Sequence, residues 1–241
     1  MATKKAKNFK VELTELLEAG VHFGHQTRRG QPKMTPFIWK AKGGIHVFDL
    51  LKTQQYLQEA CEAGKKLAAE GKLIVFVGTK RQAQAITKEE ALRCGMPYVM
   101  NRWAGGLLTN WNQVKKSIDK LTKLREGQAK DEFQHLTKKE RILVDRQIAQ
   151  LERLFGGLVD LKEIPEALFV VDVKREETAV LEARKKGVKV FAIVDSNVNP
   201  SLVDYPIPGN DDAVRAIKLL ISTFASAVAE GRSEAEKNLQ R

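Results

Sequence analysis

Uncharged apolar runs alternate with amphipathic segments along most of the chain. Such runs are typical of strands buried on both faces of a sheet, and they occur at 73–77, 98–100, 168–171, 190–194 and 205–207. Segments with apolar residues at helical spacing lie between and around them, at 49–70, 81–93, 176–186 and 211–229. This alternation predicts an α/β fold in three layers, with helices covering both faces of a parallel sheet.

Residues 107–157 interrupt the alternation with a different apolar spacing. Positions 111, 114, 118 and 121 follow a three-four pattern, and positions 144, 148, 151 and 155 repeat it. Thr137 and Glu140 form a capping-box sequence that would begin the second helix. The pattern predicts an inserted antiparallel helical hairpin with a coiled-coil seam. Because each helix has only one narrow seam, we favour a projecting arm over a helix pair packed on the sheet.

The pattern divides the chain into four parts. Residues 1–44 are a basic N-terminal arm and loops, in which 20–44 reads as irregular structure or a short hairpin. Residues 45–106 and 158–230 form the α/β sheet domain, with 107–157 as the hairpin insertion and 231–241 as a tail. The cysteines Cys61 and Cys94 have no metal-ligand spacing and read as reduced thiols.

The net charge and its distribution along the chain say more about possible partners than the overall composition does. The net charge is +11, and residues 1–42 hold nine lysines and arginines against three acids, whereas residues 155–241 hold twelve against fourteen. A basic face built from the first two thirds of the chain indicates a polyanionic partner. No apolar run is long enough for a membrane span, and the N-terminus lacks the apolar core of a secretory signal, so we expect a cytoplasmic protein with no membrane partner.

The sequence argues against an enzyme. Gly78 ends a predicted strand, but the further glycines of a dinucleotide fingerprint or a P-loop are missing. The four histidines and the serines suggest no combination of nucleophile, base and acid. We therefore expect no catalytic residue, no small-molecule substrate and no cofactor. Carboxylates at Asp195, Asp204, Asp211 and Asp212, near predicted strand ends, leave a divalent cation open as an alternative to helix capping.

Basic loops flanked by aromatic residues are the best candidate site. Folded RNA is held by phosphate neutralisation, stacking and shape, and arginine, lysine and tryptophan suit these tasks. The predicted RNA-binding residues are Arg28, Arg29, Lys33, Lys40, Lys42, Lys80, Arg81, Arg102, Trp103, Lys115 and Lys116.

Several stretches carry a resemblance to a known family. Residues 96–111 read MPYVMNRWAGGLLTNW, and 20–25, 32–34, 44–46, 76–84, 165–173 and 204–218 continue the match in the expected order. The chain resembles the bacterial small-subunit ribosomal protein two family over nearly its whole length. The resemblance implies a flavodoxin-like sheet, contact with small-subunit ribosomal RNA and other small-subunit proteins, and a role in docking small-subunit ribosomal protein one, the large messenger-binding protein.

Two other functions stay open from the residues alone. One is an enzyme on a flavodoxin-like sheet that binds a nucleotide or sugar phosphate beside Gly78 and Asp195. The other is a free RNA-binding regulator that does not associate with ribosomes. The missing phosphate loop disfavours the enzyme, and only the resemblance separates a ribosomal component from a regulator.

Overall fold

The structure is a computed structural model that describes residues 9–239. Its helices are α1 (Leu13–Glu18), α2 (Leu50–Ala69), α3 (Gln84–Cys94), α4 (Trp111–Ala129), α5 (Lys138–Phe155), α6 (Glu177–Lys186) and α7 (Val214–Leu239). Its strands are β1 (Phe23–Gln26), β2 (Ile38–Lys42), β3 (Ile45–Phe48), β4 (Ile74–Val77), β5 (Tyr98–Val99), β6 (Ala167–Val171), β7 (Lys189–Val194) and β8 (Tyr205–Pro208). Short 3₁₀ helices occupy several connections.

The main sheet has five parallel strands in the order β5-β4-β6-β7-β8. Counted within this sheet the order is 2-1-3-4-5, which is the flavodoxin-like order. All five predicted strands are present with boundaries within two residues. The prediction of an α/β fold with a parallel sheet flanked by helices is confirmed.

Alternate residues of each central strand enter two separate cores. Phe76, Phe169 and Phe191 pack with α2, α3 and α7 on one face. Val75, Leu168 and Val190 pack on the other face with α6 and the adjoining parts of α4 and α5. A strand whose side chains point alternately to two apolar cores has no polar side, and this explains the uncharged runs in the sequence.

Residues 23–48 form a second, antiparallel sheet in the order β1-β3-β2, which we call the N-terminal sheet. We predicted irregular structure or a short hairpin at 20–44, so the third strand is a correction. Strand β1 has little apolar alternation of its own, and it is ordered by pairing Phe23 with Val47. Phe48 and Phe37 anchor this sheet in the core beside Val77.

Helices α4 and α5 follow one another and are in contact. Arg125 pairs with Glu152, and the Gln128 side chain donates to Asp145. The contacts therefore move toward the start of α5 as they move toward the end of α4, as expected for antiparallel helices. The Thr137–Glu140 capping box is present at the start of α5. Within the described residues, no member of either core lies between 122 and 147.

The C-terminal boundary differs from the prediction. We placed the last helix at 211–229 with a tail from 231, but α7 begins at Val214 and continues to Leu239. The Asn210 side chain accepts hydrogen bonds from the amides of Asp212 and Ala213, just before the helix begins. The first eight residues of the predicted N-terminal arm lie outside the described residues.

Candidate nucleic-acid interface

The outer face of the N-terminal sheet combines exposed cations with apolar side chains. Lys40 lies opposite Val47, and Lys42 lies opposite Ile45, so these four residues share one side of the sheet. Phe23 pairs with Val47 from the other edge and is half exposed. Both predicted lysines are exposed. This face therefore offers positive charge and stacking surface together.

Trp39 is the most exposed large apolar residue of this region, at 64%. The Lys40 ammonium lies 3.7 Å from the centroid of its ring, within cation–π range. An indole left in water next to a cation is suited to receive a planar base on its free surface.

A basic loop at residues 27–33 borders the same sheet. Arg28, Arg29 and Lys33 are all exposed, as predicted for residues that reach a phosphate. The loop is held at two points, because the Thr27 amide donates to the Gly44 carbonyl and the Gln31 amide donates to the Ser196 carbonyl. The loop is thus fixed to both the N-terminal sheet and the end of β7 while its cations face solvent.

Lys80 is the main correction to the predicted set. Its side chain is buried, and its ammonium lies 2.7 Å from Asp211, 2.6 Å from Asp212 and 3.2 Å from Asp172. Burial lowers the pKa of this amine, but its interactions with Asp211, Asp212 and Asp172 together outweigh burial, and the pKa is raised. Lys80 is therefore committed to carboxylates inside the protein and is not retained as a phosphate contact.

Asp172, Asp195, Asp211 and Asp212 surround Lys80 and His25, and we call these four residues the carboxylate cluster. The His25 ring Nδ1 lies 3.0 Å from Asp195, and this hydrogen bond raises the pKa of His25. Burial raises the pKa of Asp211. Ligand atoms of His25, Asp195 and Asp211 lie within 4.8 Å of one another, so these three residues could hold a metal ion.

Asp204 is not part of the carboxylate cluster. Its carboxylate accepts from the amide of Val190, and its own amide donates to the Val190 carbonyl. Val190 is near the beginning of β7, whereas Asp195 follows its end. The predicted grouping of Asp204 with Asp195, Asp211 and Asp212 is therefore wrong, because Asp204 precedes its strand and the others follow theirs.

Trp103 is also corrected, and the reason is a buried carboxylate on α6. Trp103 is buried, and its indole nitrogen donates to Glu182 at 3.2 Å. The same carboxylate accepts from the amides of Gly106, Leu108 and Thr109 at 2.7, 3.0 and 3.1 Å. Glu182 thus organises the loop between β5 and α4, and Trp103 cannot stack on a nucleotide.

Ionisation of Glu182 matches this role. Burial raises the pKa of its carboxyl, but hydrogen bonds from the Gly106, Thr109 and Leu108 amides and from the Trp103 indole together outweigh burial, so the net pKa is lowered. Gly106 has φ +88°, a left-handed conformation that a side chain disfavours, whereas a side chain at Gly105 would meet open space. The double glycine therefore serves the turn around Glu182 at only one of its two positions.

The remaining predicted cations lie on the surface. Arg102 is exposed beside the Glu182 loop, and Arg81 is exposed next to buried Lys80. Lys115 and Lys116 are exposed on the first turns of α4, where the Lys115 ammonium donates to the Lys162 carbonyl at 3.3 Å. Among residues 9–239, no helix combines the length and the hydropathy needed to cross a membrane.

Comparison with known proteins places these features in a family. A family model described as "Ribosomal protein S2" matches residues 16–231. The chain belongs to the ribosomal protein S2 family.

Curated relatives agree with the S2 family model. "Small ribosomal subunit protein uS2" of Dictyoglomus thermophilum is 50% identical over 225 residues, covering 93% of this chain and 92% of the relative. The protein of the same name from Koribacter versatilis is 50% identical over 229 residues, covering 95% and 76%. That of Nitratiruptor sp. is 47% identical over 230 residues, covering 95% and 86%.

The S2 family assignment confirms the predicted family and decides against the enzyme hypothesis. The chain is a ribosomal protein and not an enzyme. The strand-end corner beside Gly78, where an enzyme of this fold would bind a phosphate, is instead occupied by the Lys80 ion pairs.

Two features near the candidate site had not been predicted from the sequence. Glu182 gave no local signal, because its partners lie more than 70 residues earlier. Lys120 and Lys123 continue an exposed stripe from Lys116 on α4. Their spacing of four and then three residues places them on one side of a helix, and this signal was available in the sequence.

Proposed function

We propose that the chain is a structural constituent of the small ribosomal subunit that binds small-subunit ribosomal RNA in the cytoplasm. The observation that carries the proposal is the set of exposed cations on the basic loop and on the N-terminal sheet, which are joined by the hydrogen bond from Thr27 to Gly44. The proposed RNA contacts are Arg28, Arg29, Lys33, Lys40, Lys42, Arg81, Arg102, Lys115 and Lys116. The names of the relatives, all small-subunit proteins, support the same assignment.

Binding follows from two kinds of contact. The arginines and lysines neutralise phosphates and release counterions, which makes attachment salt-dependent. Arg28 and Arg29 can each fork onto a phosphate, because a guanidinium presents parallel donors. Trp39 supplies a stacking surface where an RNA loop exposes a base. Rigid anchoring of the basic loop to Gly44 and Ser196 reduces the ordering entropy that binding would cost.

We also propose that α4 and α5 form an antiparallel coiled-coil arm that extends this surface. The absence of core members between 122 and 147, among described residues, supports a distal half that leaves the domain. At 1.5 Å per residue, the nineteen residues of α4 span roughly 28 Å, enough to reach RNA beyond the sheet domain. Lys116, Lys120 and Lys123 would carry the basic surface along it.

The proposal also includes contacts with other proteins of the small subunit. The acid-richer part of the chain, residues 155–241, is the proposed surface for other small-subunit proteins, including small-subunit ribosomal protein one. No small-molecule substrate is part of the proposal. Lys80 already supplies positive charge to Asp172, Asp211 and Asp212, so a divalent cation held by His25, Asp195 and Asp211 stays an alternative outside the proposal.

Sedimentation of a bacterial lysate through a sucrose gradient tests the proposal. The wild-type chain should migrate with small subunits at low salt and dissociate as salt rises. Reversing Arg28, Arg29 and Lys33 to glutamate should shift the protein to the top of the gradient. The control reverses Lys66 and Lys88, which are exposed cations outside both the proposed RNA contacts and residues 155–241, and this variant should still comigrate. Wild-type protein found only in the soluble fraction at low salt would overturn the ribosomal assignment.

A further inference from the structure

Helix α5 has two exposed aliphatic side chains that its contact with α4 does not use. Ile142 and Leu143 are 43% and 54% exposed. The seam positions Val144, Ile148 and Leu151 are all less exposed than these two. A single exposed aliphatic side chain is ordinary, but Ile142 and Leu143 are adjacent in the second turn of α5 and together form an exposed apolar patch.

Three exposed cations lie next to these two residues along the outer side of the helix. At 3.6 residues per turn, positions 138, 142 and 146 stack along one side of the helix, and 139 and 143 lie beside them. We call Lys138, Lys139, Ile142, Leu143 and Arg146 the outer α5 face. All five residues are exposed, and no ion pair is found for its three cations among the described residues.

The three acidic residues of α5 interact with groups outside the outer α5 face. Glu140 closes the capping box with Thr137, and Asp145 accepts from Gln128 of α4. Glu152 pairs with Arg125 of α4. Each carboxylate therefore serves the helix end or the contact with α4, and the outer α5 face contains apolar and positive groups with no negative one.

We infer that the outer α5 face docks an acidic amphipathic helix of another protein. Charge complementarity selects an acidic partner, because three unpaired cations flank the aliphatic pair. The aliphatic pair selects a protein over RNA, because burying Ile142 and Leu143 requires apolar surface that a phosphate backbone does not offer. The face spans roughly 12 Å, which matches about two turns of a helix laid against it.

This docking surface goes beyond the RNA contacts proposed above, and it rests on the proposed function only in that the chain has protein neighbours. The partner is defined here by its chemistry: leucines or similar residues at helical spacing, with aspartate or glutamate on both sides. RNA binding along the same face is the competing outcome, and the experiment below is built to separate the two.

The test uses the isolated full chain and fluorescence anisotropy. One labelled probe is a helical peptide of about 15 residues with a leucine stripe flanked by glutamates, and a second has the same composition in scrambled order. A third is an RNA duplex of similar net charge. We expect the striped peptide to bind about tenfold tighter than the scrambled one. Equal affinity for both peptides would overturn the inference.

A matched pair of variants locates the binding. Leu143→Ser with Arg146→Glu should remove the preference for the striped peptide. Leu181→Ser with Lys185→Glu makes the same chemical changes on α6, where Leu181 is 52% exposed, and should preserve it. Circular dichroism checks that both variants retain wild-type helix content. Loss of the preference in both variants, or loss of only the duplex affinity in the first, would refute the assignment.

Failure of this test is distinguishable from failure of the proposed function. Comigration with small subunits depends on the basic loop and is measured on gradients with Arg28, Arg29 and Lys33 reversed. The peptide experiment contains no ribosome. A chain that comigrates but shows no peptide preference lacks only the outer α5 docking surface.

Discussion

Lys80 and Lys40 had the same interpretation in the sequence, and the structure places them in opposite environments. Lys80 is buried between Asp172, Asp211 and Asp212, whereas Lys40 is exposed over the ring of Trp39. One cation stabilises the fold and the other is available to a partner. The comparison shows that a basic residue next to a strand end indicates a binding site only after the carboxylates that fold against it are known.

Removing the charge of Lys80 should have the largest effect on stability. Lys80→Met leaves Asp211, which is buried, without its cation, and should lower the free energy of unfolding by about 3 to 5 kcal/mol in urea denaturation. Arg81→Met, at the exposed neighbouring position, should change it by less than about 0.5 kcal/mol. A Lys80→Met protein with wild-type stability and weakened RNA binding would reverse our assignment of Lys80.

Glu182 extends the comparison to a buried anion. Glu182→Ala leaves the Leu108 amide and the Trp103 indole without acceptors and should cost about 3 kcal/mol in urea denaturation. Glu177→Ala, an exposed carboxylate on the same helix, is the control. Equal small losses in both would mean that the loop from 101 to 110 does not depend on Glu182.

The exposed cations should affect affinity and leave stability unchanged. Replacing Lys40 and Lys42 with serine removes two phosphate contacts. The slope of log affinity against log salt for ribosomal RNA should therefore fall by about 2, with unfolding unaffected. Replacing Lys185 and Lys186 with serine provides the control and should leave the slope alone. An unchanged slope in the Lys40 and Lys42 variant would remove the N-terminal sheet from the RNA interface.

His25 gives the smallest expected effect, which appears in the pH dependence of stability. Its pKa is raised from 6.5 in the folded protein, chiefly by its hydrogen bond with Asp195, and the charges of Asp211 and Asp212 act in the same direction. The stabilisation is therefore complete below pH 6.5 and is lost as pH rises through the higher folded value. His25→Gln should flatten this part of the curve, by less than about 1 kcal/mol. An unchanged curve would show that His25 does not couple folding to pH.

Residues that interact locally could be predicted from the sequence, and those that interact over long distances could not. The uncharged run at β4 and the Thr137–Glu140 capping box carry their signals within a few residues. Strand β1 depends on pairing with β3, and its own sequence, FGHQ, lacks strand periodicity.

The same distinction applies to the site. Exposure of Arg28 and Arg29 was foreseen because their loop is rich in polar residues and glycine. Trp103 was assigned to the surface because its partner, Glu182, lies 79 positions later in the chain. A sequence pattern contains no information on which distant carboxylate satisfies a given donor. The predicted RNA contacts at Lys80 and Trp103 were wrong for this reason, because each residue is bound to an acid far away in sequence.

Helices α4 and α5 lie in the chain between β4 and its central partner β6, and this affects how the sheet folds. Val75 of β4 must pair with Leu168 of β6, about 90 residues later. Such distant pairings form slowly, because loop closure is entropically costly before any contact is gained. Helices α4 and α5 contact one another locally, so their pairing would shorten the loop that the β4–β6 contact has to close if it formed early. At about 5 to 20 residues per second, a nascent β4 waits several seconds for its central partner to be synthesised.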